Sequence, residues 1–493
     1  MSRPKLIDHQ RRFPMIRYIS NMSLAGLALS ASIPALAAAP PIATPFDLGT
    51  AVSAQVACAS IFVAGRAEAD VLRDDVQGFA PFTKTIVLAV DRNARTVTAS
   101  MPGAATRTAL YRPVVGCTLL TGDVSTAVLD TQAARLKPTR GNAAKPWPMG
   151  DAPVRRLQVA AEAKLDRAAL DKAVNATFDE QNKGGYPDTR AIVVVQGGAI
   201  VAERYAPGFD RNTELLGWSA SKSIMGTLVG LLVDDGVLKL DDPAPVPEWQ
   251  GAGDPRGKIT LRQLLTMTSG LSFSESYVPG NDSIKMLFEA GDMGALAAAQ
   301  PLKHEPGTSW SYSSGTTNIL SRIVFQATGG TLEGMTRFAQ KRLFEPTGMT
   351  SALIEPDEAG VQVGSSYAYA TARDWARYGL LHLNKGRAGG KQLLSKEWLD
   401  FAVTPTPAAP QPFYGAQLWL NVAEADGEHR KLFPDVPADA VMARGHSFQI
   451  VATIPSQDAV IVRLGWTPEG QKFDWNKYVG QIAAALAPAV PAP

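Results

Sequence analysis

Three serines surround a single lysine in the segment LGWSASKSIMGTLVG, residues 216–230. Ser219 and Lys222 form an S-x-x-K pattern, and residues three apart share one face of a helix, so the lysine can reach the serine hydroxyl. A serine is a weak nucleophile until a base takes its proton. A lysine amine can be that base when burial lowers its pKa. The spacing therefore selects Ser219 over Ser221 and Ser223 as the candidate nucleophile, and the apolar run that follows predicts a buried helix.

The S-x-x-K pattern is a weak signal by itself, because average residue usage produces it by chance about once or twice in a chain of this length. Ser2 also begins such a pattern. The sequence contains no HExxH, no CxxC, no P-loop and no GxGxxG after a strand, so we predict no metal site and no cofactor. The segment GWSAS lacks the final glycine of the G-x-S-x-G turn found in Ser-His-Asp hydrolases.

Two downstream segments supply partners for the serine. EPGTSWSYSSGTTNIL contains the motif YSS beginning at Tyr312, and VMARGHSFQIVATIP contains ARG beginning at Ala443. Together with S-x-x-K they resemble the three motifs of the serine β-lactamase and penicillin-binding protein superfamily. The phrases DDGVLKLDDPAP, ITLRQLLTMTSGL and TARDWARYGLL extend this resemblance over about residues 160 to 490. Within the superfamily the chain looks most like the class C-related branch of esterases, D-aminopeptidases and 6-aminohexanoate-dimer hydrolases.

The resemblance implies a role for each matched residue. Ser219 would be the acylated nucleophile, Lys222 would hold or take its proton, and Tyr312 would pass that proton to the leaving group. The backbone N–H groups of Ser219 and His446 would form an oxyanion hole. Tyr277, in the segment SFSESY that is typical of the dimer hydrolases, would line the substrate pocket.

Three further residues are predicted to bind substrate, namely Ser314, Arg444 and Gly445. The third motif departs from its relatives, because Ala443 and Arg444 replace the Lys-Thr pair that holds the carboxylate of β-lactams and peptidoglycan peptides. Arg444 would either take over this role or point into solvent. Phe448 stands where the dimer hydrolases carry a glycine, and a ring at this position is expected to narrow the cleft.

The beginning of the chain has the pattern of an export signal. Arg11, Arg12 and Arg17 precede the short apolar run MSLAGLALSASIPALA, which ends in the small residues ALA. We therefore predict a cleaved signal over residues 1–39 and a periplasmic or secreted protein, by either the Sec or the twin-arginine route. A membrane anchor is the alternative, but the run is short for a span of roughly 20 residues.

Residues 40–155 are predicted to form a β-rich N-terminal domain that ends in a linker. From about residue 46 the pattern favours short strands, and TIVLAVDRNARTVTAS indicates a hairpin. The linker LKPTRGNAAKPWPMGDAP is rich in proline, glycine and charge. Cys58 and Cys117 are the only cysteines. In an exported chain they are expected to form one disulfide, with two unrelated buried thiols as the alternative.

Residues 156–493 are predicted to form the hydrolase domain. AIVVVQGGAIVAERY and FQIVATIPSQDAVIVRLGW indicate hairpins near the two ends of this region, and helical segments dominate between them. Hairpins that pair into one sheet, with helices inserted between them, make an α/β layer with an all-α lobe. The fold class is therefore predicted as β-lactamase/transpeptidase-like, an antiparallel sheet flanked by helices and preceded by a small β-rich domain.

The composition is that of a globular protein, with 45% hydrophobic residues, 19% charged residues and a net charge of +2. The absence of a basic stripe argues against nucleic-acid binding. We therefore predict an exported serine hydrolase of small amides or esters, most like a 6-aminohexanoate-dimer hydrolase or esterase. The alternatives are a D,D-peptidase or β-lactamase and, from another class, a non-catalytic binding or sensor protein based on the N-terminal domain.

Overall fold

The computed structural model describes residues 40–122, 124–152, 164–179, 188–422, 431–468 and 470–488. The predicted export signal of residues 1–39 lies outside the described residues. Within the ranges described, no helix is both long enough and apolar enough to cross a membrane.

The first described part of the chain, up to residue 152, builds a small sheet with one long helix against it. Its elements are α1 (Pro45–Phe62), α2 (Glu68–Val71), β1 (Val87–Asp91), β2 (Thr96–Ser100), β3 (Arg107–Arg112), β4 (Gly116–Leu119) and α3 (Thr126–Ala133). The four strands pair antiparallel in chain order. The hairpin predicted between residues 85 and 100 is confirmed by β1 and β2.

Helix α1 stands where the sequence predicted the first short strands, so that prediction was wrong. Pro45 opens the helix, and Thr44 caps it by accepting the N–H of Asp47 at 3.2 Å while the Asp47 carboxylate accepts the N–H of Thr44 at 3.0 Å. Most of the helix is buried. A helix surrounded by protein carries no one-sided apolar stripe, and for this reason its period could not be recognised in the sequence.

A disulfide joins this helix to the last strand of the small sheet. Cys58 lies on α1 and Cys117 on β4, with their Cα atoms 6.1 Å apart, and both are fully buried. The predicted bridge is therefore confirmed. It holds the helix and the sheet together at the centre of their shared core.

The later part of the chain consists of a large sheet and many helices. Its strands are β5 (Thr189–Gln196), β6 (Ala199–Tyr205), β7 (Glu214–Leu216), β8 (Leu353–Ile354), β9 (Ala368–Thr371), β10 (Arg387–Ala388), β11 (Lys391–Gln392), β12 (Trp419–Leu420), β13 (Val441–Gly445), β14 (Gln449–Ile454) and β15 (Ala459–Gly465). Its helices are α4 (Arg167–Asp179), α5 (Ser221–Asp234), α6 (Leu261–Leu265), α7 (Asp282–Glu289), α8 (Met293–Ala298), α9 (Ser314–Ala327), α10 (Leu332–Ala339), α11 (Glu345–Thr347), α12 (Ala372–Leu383), α13 (Lys396–Ala402) and α14 (Trp475–Ala485).

The large sheet has six strands in the order β12-β13-β14-β15-β5-β6. β5 and β6 form a hairpin around Gly197 and Gly198, and β14 and β15 form the second predicted hairpin. β15 pairs antiparallel with β5, so the two hairpins from the ends of this region lie in one sheet. The helices from α5 to α13 fall between them in sequence. This confirms the predicted fold class of an antiparallel sheet flanked by helices, with a helical lobe inserted.

Both faces of the sheet are covered. Along β5, Ile192 and Val194 belong to the core that includes α4 and α14, whereas Val193 and Val195 belong to the core that includes α12. Alternate residues of a strand point to opposite faces, and a strand covered on both faces reads as a continuous apolar run. This explains the sequence AIVVV, and it makes the sheet a rigid support for the residues at its edge.

Buried polar groups attach the small N-terminal sheet to this larger body. The Glu355 carboxylate accepts the backbone N–H of Cys117 at 2.6 Å. Asp75, between α2 and β1, forms a buried salt bridge with Arg190 on β5. Burial raises the pKa of Glu355 well above its ordinary value. Burial also acts to raise the pKa of Asp75, but the charges of the neighbouring arginines outweigh it and lower that pKa.

Candidate active site

Ser219 lies in a single 3₁₀ turn, Trp218–Ala220, between β7 and α5. Gly217 precedes the turn and packs closely against Trp375, since a Cβ at this position would lie 2.3 Å from the Trp375 ring. Ser219 is partly exposed, whereas helix α5 behind it is buried over almost its whole length. The candidate nucleophile is therefore accessible and stands on a rigid, buried helix.

Lys222 lies one turn further along and reaches back to the serine. Its Nζ is 3.0 Å from the Oγ of Ser219, 2.9 Å from the Oγ of Ser314 and 2.9 Å from the carbonyl oxygen of Ser365. The side chain is buried, with 1% of the residue exposed. This is the contact that the i, i+3 spacing predicted.

Burial lowers the pKa of Lys222 to about 8, against the opposing charge of Glu275. Removal from water disfavours the ammonium form, because few opposing charges compensate for the lost hydration. A substantial fraction of the amine is therefore neutral near pH 8. A neutral Lys222 amine at hydrogen-bond distance from Ser219 can accept the proton of the Ser219 hydroxyl.

The other two serines of the opening segment have structural contacts. The Ser221 hydroxyl donates to the carbonyl oxygen of Trp218 at 2.5 Å and accepts the N–H of Ala368 at 2.9 Å. The Ser223 hydroxyl donates to the carbonyl oxygen of Gln417 at 2.6 Å. Both side chains are buried and fix the turn and the helix in place.

Tyr312 lies beside the pair of Ser219 and Lys222. Lys222 Nζ lies 4.9 Å from the centre of the Tyr312 ring, and the Ser219 side chain is near enough to the Tyr312 hydroxyl to affect its pKa. Burial raises the pKa of Tyr312, although the nearby Ser219 side chain acts to lower it. The hydroxyl therefore keeps its proton at neutral pH and can donate it.

Glu275 also belongs to this cluster, although it was not among the residues predicted from the sequence. Its carboxylate accepts the N–H and the hydroxyl of Ser314 at 2.7 and 2.5 Å, and it accepts the hydroxyl of Tyr277 at 2.8 Å. Ser314, predicted to bind substrate, is fully buried, and its hydroxyl bonds to Lys222 and Glu275. The available signal was the position of Glu275 two residues before Tyr277 in SFSESY.

The end of β13 passes directly over the serine. A Cβ on Gly445 would lie 2.1 Å from the carbonyl oxygen of Gly217 and 3.1 Å from the backbone nitrogen of Ser219, so only glycine permits this approach. His446 follows, and its ring packs edge-on against Trp218 at 5.6 Å. The predicted third motif is thus brought beside the first.

Arg444 does not point into solvent. Its guanidinium carbon lies 4.7 Å from the ring centre of Trp419, 4.8 Å from that of Trp475 and 5.0 Å from that of Phe433. Burial lowers the pKa of Arg444 to about 10, so it remains charged at neutral pH. The electron-rich faces of three rings hold the cation, and this packing explains why the solvent-facing alternative was wrong.

Phe448, which was expected to narrow the cleft, does not line the cavity beside Ser219. Its ring packs against Phe473 and Trp475 at 6.1 and 6.2 Å. A backbone φ of 61° turns the residue into this aromatic cluster. The Phe448 side chain points toward these rings because aromatic packing buries it there, and the sequence position alone does not show such packing.

A cavity of about 100 Å³ begins at Ser219. Ser219, Trp218, His446 and Tyr277 line it, together with apolar residues from α7 and from the N-terminal part of the chain. Tyr277 was predicted to line the substrate pocket, and about half of its surface is exposed. A concave space with a mostly apolar lining and a few polar groups, next to an accessible nucleophile, is the usual form of a small-molecule site.

The site combines an accessible serine hydroxyl with a buried lysine and a protonated tyrosine, at the edge of an antiparallel sheet. These are the groups that acyl transfer through a serine requires. The fold and this cluster define the class of protein as a serine hydrolase.

Comparisons with known proteins agree with this class. A model of the Beta-lactamase family matches residues 174–478, more than half of the 493-residue chain. The 6-aminohexanoate-dimer hydrolase of Paenarthrobacter ureafaciens is 26% identical over 312 residues, which cover 58% of this chain and 75% of that protein. Lovastatin esterase of Penicillium rubens is 32% identical over 165 residues, or 28% of this chain and 39% of that protein.

A solved structure shows the same fold. The crystal structure of a family VIII carboxylesterase aligns with a TM-score of 0.50 at 17% identity, over 65% of this chain and 96% of that chain. The chain belongs to the Beta-lactamase family.

Proposed function

We propose that the protein is an exported serine hydrolase that cleaves small amide or ester substrates through an acyl-enzyme on Ser219. The observation that carries this proposal is the buried amine of Lys222, 3.0 Å from the Ser219 hydroxyl and with a pKa of about 8. The names of two relatives, a dimer hydrolase and an esterase, support an amide or ester substrate.

Acylation follows from the three hydroxyl and amine groups. The Ser219 Oγ attacks the substrate carbonyl carbon while its proton passes to Lys222, and the carbonyl π electrons move onto oxygen. The Tyr312 hydroxyl then gives its proton to the leaving nitrogen or oxygen and takes one from the Lys222 ammonium. The bond to the leaving group breaks, the carbonyl re-forms, and a free amine or alcohol departs from the acyl-enzyme.

The negative oxygen of the tetrahedral intermediate needs donors that are in place before the reaction. We assign this role to the backbone N–H groups of Ser219 and His446, at the end of β13 where Gly445 allows close approach. The start of helix α5 adds partial positive charge at the same point. In deacylation, water attacks the acyl carbon and gives a proton to Lys222, the bond from the acyl carbon to the Ser219 Oγ breaks, and this oxygen takes a proton from the Lys222 and Tyr312 pair as the acid departs.

The β-lactam and peptidoglycan alternative has less support. Those substrates need a cation and a hydroxyl to hold a carboxylate, and the chain has Ala443 and Arg444 in place of Lys-Thr. Three aromatic rings already hold the Arg444 guanidinium. We therefore expect slow or no turnover of nitrocefin compared with a simple ester.

A substrate panel tests the proposal. Short p-nitrophenyl esters, nitrocefin and a linear amide dimer would be assayed with the wild type, with Ser219→Ala and with Ser311→Ala, an exposed serine outside the cluster. We expect ester or amide turnover in the wild type and in Ser311→Ala, and a loss of at least about a thousandfold in Ser219→Ala. A fluorophosphonate should label Ser219, as seen by mass spectrometry. Activity retained in Ser219→Ala would overturn the proposal.

We also propose that residues 1–39 are a cleaved signal, residues 40–155 a β-rich N-terminal domain with its linker, and residues 156–493 the hydrolase domain. The Cys58–Cys117 disulfide supports export, because such bonds persist in oxidising compartments. The mass of the protein recovered from a periplasmic or culture fraction tests the cleavage, and a full-length protein retained in the cytoplasm would contradict it.

A further inference from the structure

The cavity beside Ser219 has one wall from the N-terminal part of the chain. Leu48 and Val52 of α1, together with Phe79 and Phe82, line it on that side. Helix α7 supplies buried apolar side chains to the same cavity, Leu287 among them. The polar residues in this lining are Thr83, Ser219, Ser366, Tyr277 and His446. Among the lining residues that the structure describes, none is an aspartate, glutamate, lysine or arginine.

The groups that handle protons lie outside this cavity. Tyr312 and Lys222 are not among its lining residues, although Ser219 is. In the proposed mechanism Tyr312 protonates the leaving group, so the leaving group must lie next to Tyr312. The cavity on the remaining side of Ser219 is then free for the acyl portion of the substrate.

The N-terminal wall is a fixed part of the molecule. Asp75 pairs with Arg190 of the large sheet, and Glu355 accepts the N–H of Cys117. The Trp466 indole N–H donates to the carbonyl oxygen of Asp75 at 3.1 Å, and the Trp466 ring packs on Phe79 with the ring centres 5.1 Å apart. The wall also lies outside residues 174–478, the region that matches the Beta-lactamase family. It is therefore a feature that the family match does not supply.

We propose that this wall sets the substrate class, and that the enzyme takes esters or amides whose acyl group is uncharged and apolar, of medium chain length. The inference rests on the proposed function. An apolar acyl chain gains free energy by leaving water for this lining. A charged chain, such as 6-aminohexanoyl, finds no opposite charge among the described lining residues and would lose hydration without compensation. The substrate preference thus differs from that implied by the name of the dimer hydrolase relative.

A chain-length series tests the inference. Wild-type kcat/KM would be measured for p-nitrophenyl acetate, butyrate, hexanoate and octanoate, and for the p-nitrophenyl ester of 6-aminohexanoate as the charged equivalent of hexanoate. Each methylene buried in the cavity raises kcat/KM by about fourfold. We expect hexanoate to exceed acetate by at least about tenfold, and to exceed 6-aminohexanoate by a similar factor.

Two variants locate the effect in the wall. Val52→Phe fills the cavity and should lower the hexanoate-to-acetate ratio at least about tenfold, whereas Phe82→Ala enlarges it and should move the preferred acyl chain to greater length. Phe62→Ala is the matched control, because Phe62 is an apolar residue of the same N-terminal region, at the end of α1, but stacks on Tyr111 outside the cavity. The ratio of two esters is read from one preparation, so a partly folded sample does not imitate the effect.

The outcomes separate the two proposals. Ester hydrolysis that depends on Ser219 but shows no dependence on acyl length, or that favours 6-aminohexanoate over hexanoate, overturns the apolar acyl site and leaves the hydrolase intact. Wall variants whose ratios equal that of Phe62→Ala also overturn it. Absence of any Ser219-dependent hydrolysis across the series overturns the proposed function itself.

Discussion

Lys222 has three hydrogen-bonding neighbours, and their chemistry decides where its lone pair points when the amine is neutral. The Ser365 carbonyl can only accept a hydrogen bond. The Ser314 hydroxyl donates its hydrogen to Glu275, so its oxygen accepts from Lys222 as well. The two N–H groups of the neutral amine are then used, and the lone pair faces the Ser219 hydroxyl. Glu275 therefore orients the base without touching the serine.

This arrangement predicts the pH dependence of the reaction. The neutral amine is the active base, so kcat/KM should be lost below the Lys222 pKa of about 8 and reach a plateau above it. Glu275→Gln removes a negative charge that acts to raise this pKa, so the ascending limb should move to lower pH. The measurement is the pH profile of kcat/KM with a neutral ester. Glu397→Gln, which changes an exposed glutamate on α13, is the control and should leave the pH profile unchanged. If the profiles of Glu275→Gln and Glu397→Gln coincide, Glu275 does not influence the pKa of Lys222.

Among the elements, the start of α5 and the end of β13 are the pair on which the site depends. The 3₁₀ turn before α5 presents the N–H of Ser219, and β13 ends at Gly445 directly against it. β13 is held from both sides, by β12 near its beginning and by β14 along its whole length. The sheet thus fixes the distance between the two backbone segments of the proposed oxyanion hole.

Gly445→Ala tests this contact between elements. The added Cβ would lie 2.1 Å from the Gly217 carbonyl oxygen, and because both are backbone positions, the strand and the turn must separate. Loss of an oxyanion donor costs about a hundredfold to a thousandfold in kcat, and we expect a loss of this order with a smaller change in KM. Gly251→Ala, where a Cβ meets nothing within 4 Å, is the control. Wild-type kcat in Gly445→Ala would show that the contact does not serve the reaction.

At the scale of the whole molecule, a buried ionic group joins the N-terminal sheet to the hydrolase body. Asp75 accepts hydrogen bonds from Arg66 at 2.5 Å and from the Ser60 hydroxyl at 2.6 Å, and it pairs with Arg190 on the large sheet. Its side chain is completely buried, as are nearly all of both guanidinium groups. The two parts of the chain are therefore joined by charges that cannot be rehydrated separately without unfolding.

Asp75→Ala should strongly destabilise the protein. It leaves two buried arginines with less negative charge to compensate them, and breaking a buried pair in this way costs about 3–5 kcal/mol in the free energy of unfolding at pH 7. Asp70→Ala is the matched control, because Asp70 pairs with Arg73 at the surface and such pairs contribute about 0–1 kcal/mol. Urea unfolding followed by tryptophan fluorescence measures both. Equal midpoints for the two variants would show that the Asp75 group does not hold the parts together.

Local patterns were sufficient for much of the fold and for the centre of the site. The hairpin around Gly197 and Gly198 and the contact between Ser219 and Lys222 depend on residues close together in the chain, so their spacing carries the information. Helix α1 escaped the sequence analysis because it is buried on almost all sides and shows no apolar stripe. The direction of Phe448 escaped it because rings from another segment attract that side chain.

The sequence by itself determined the candidate nucleophile, its lysine and the pairing of Cys58 with Cys117. Only the tertiary structure decided what surrounds them. Glu275 meets Ser314 across 39 residues, and the N-terminal wall meets the cavity beside Ser219 from more than 130 residues away. Such contacts arise when separate apolar faces pack together, and no local spacing records them. For this reason the S-x-x-K pattern indicates the chemistry, whereas the packing of distant elements determines the orientation of the base and the shape of the space that receives the substrate.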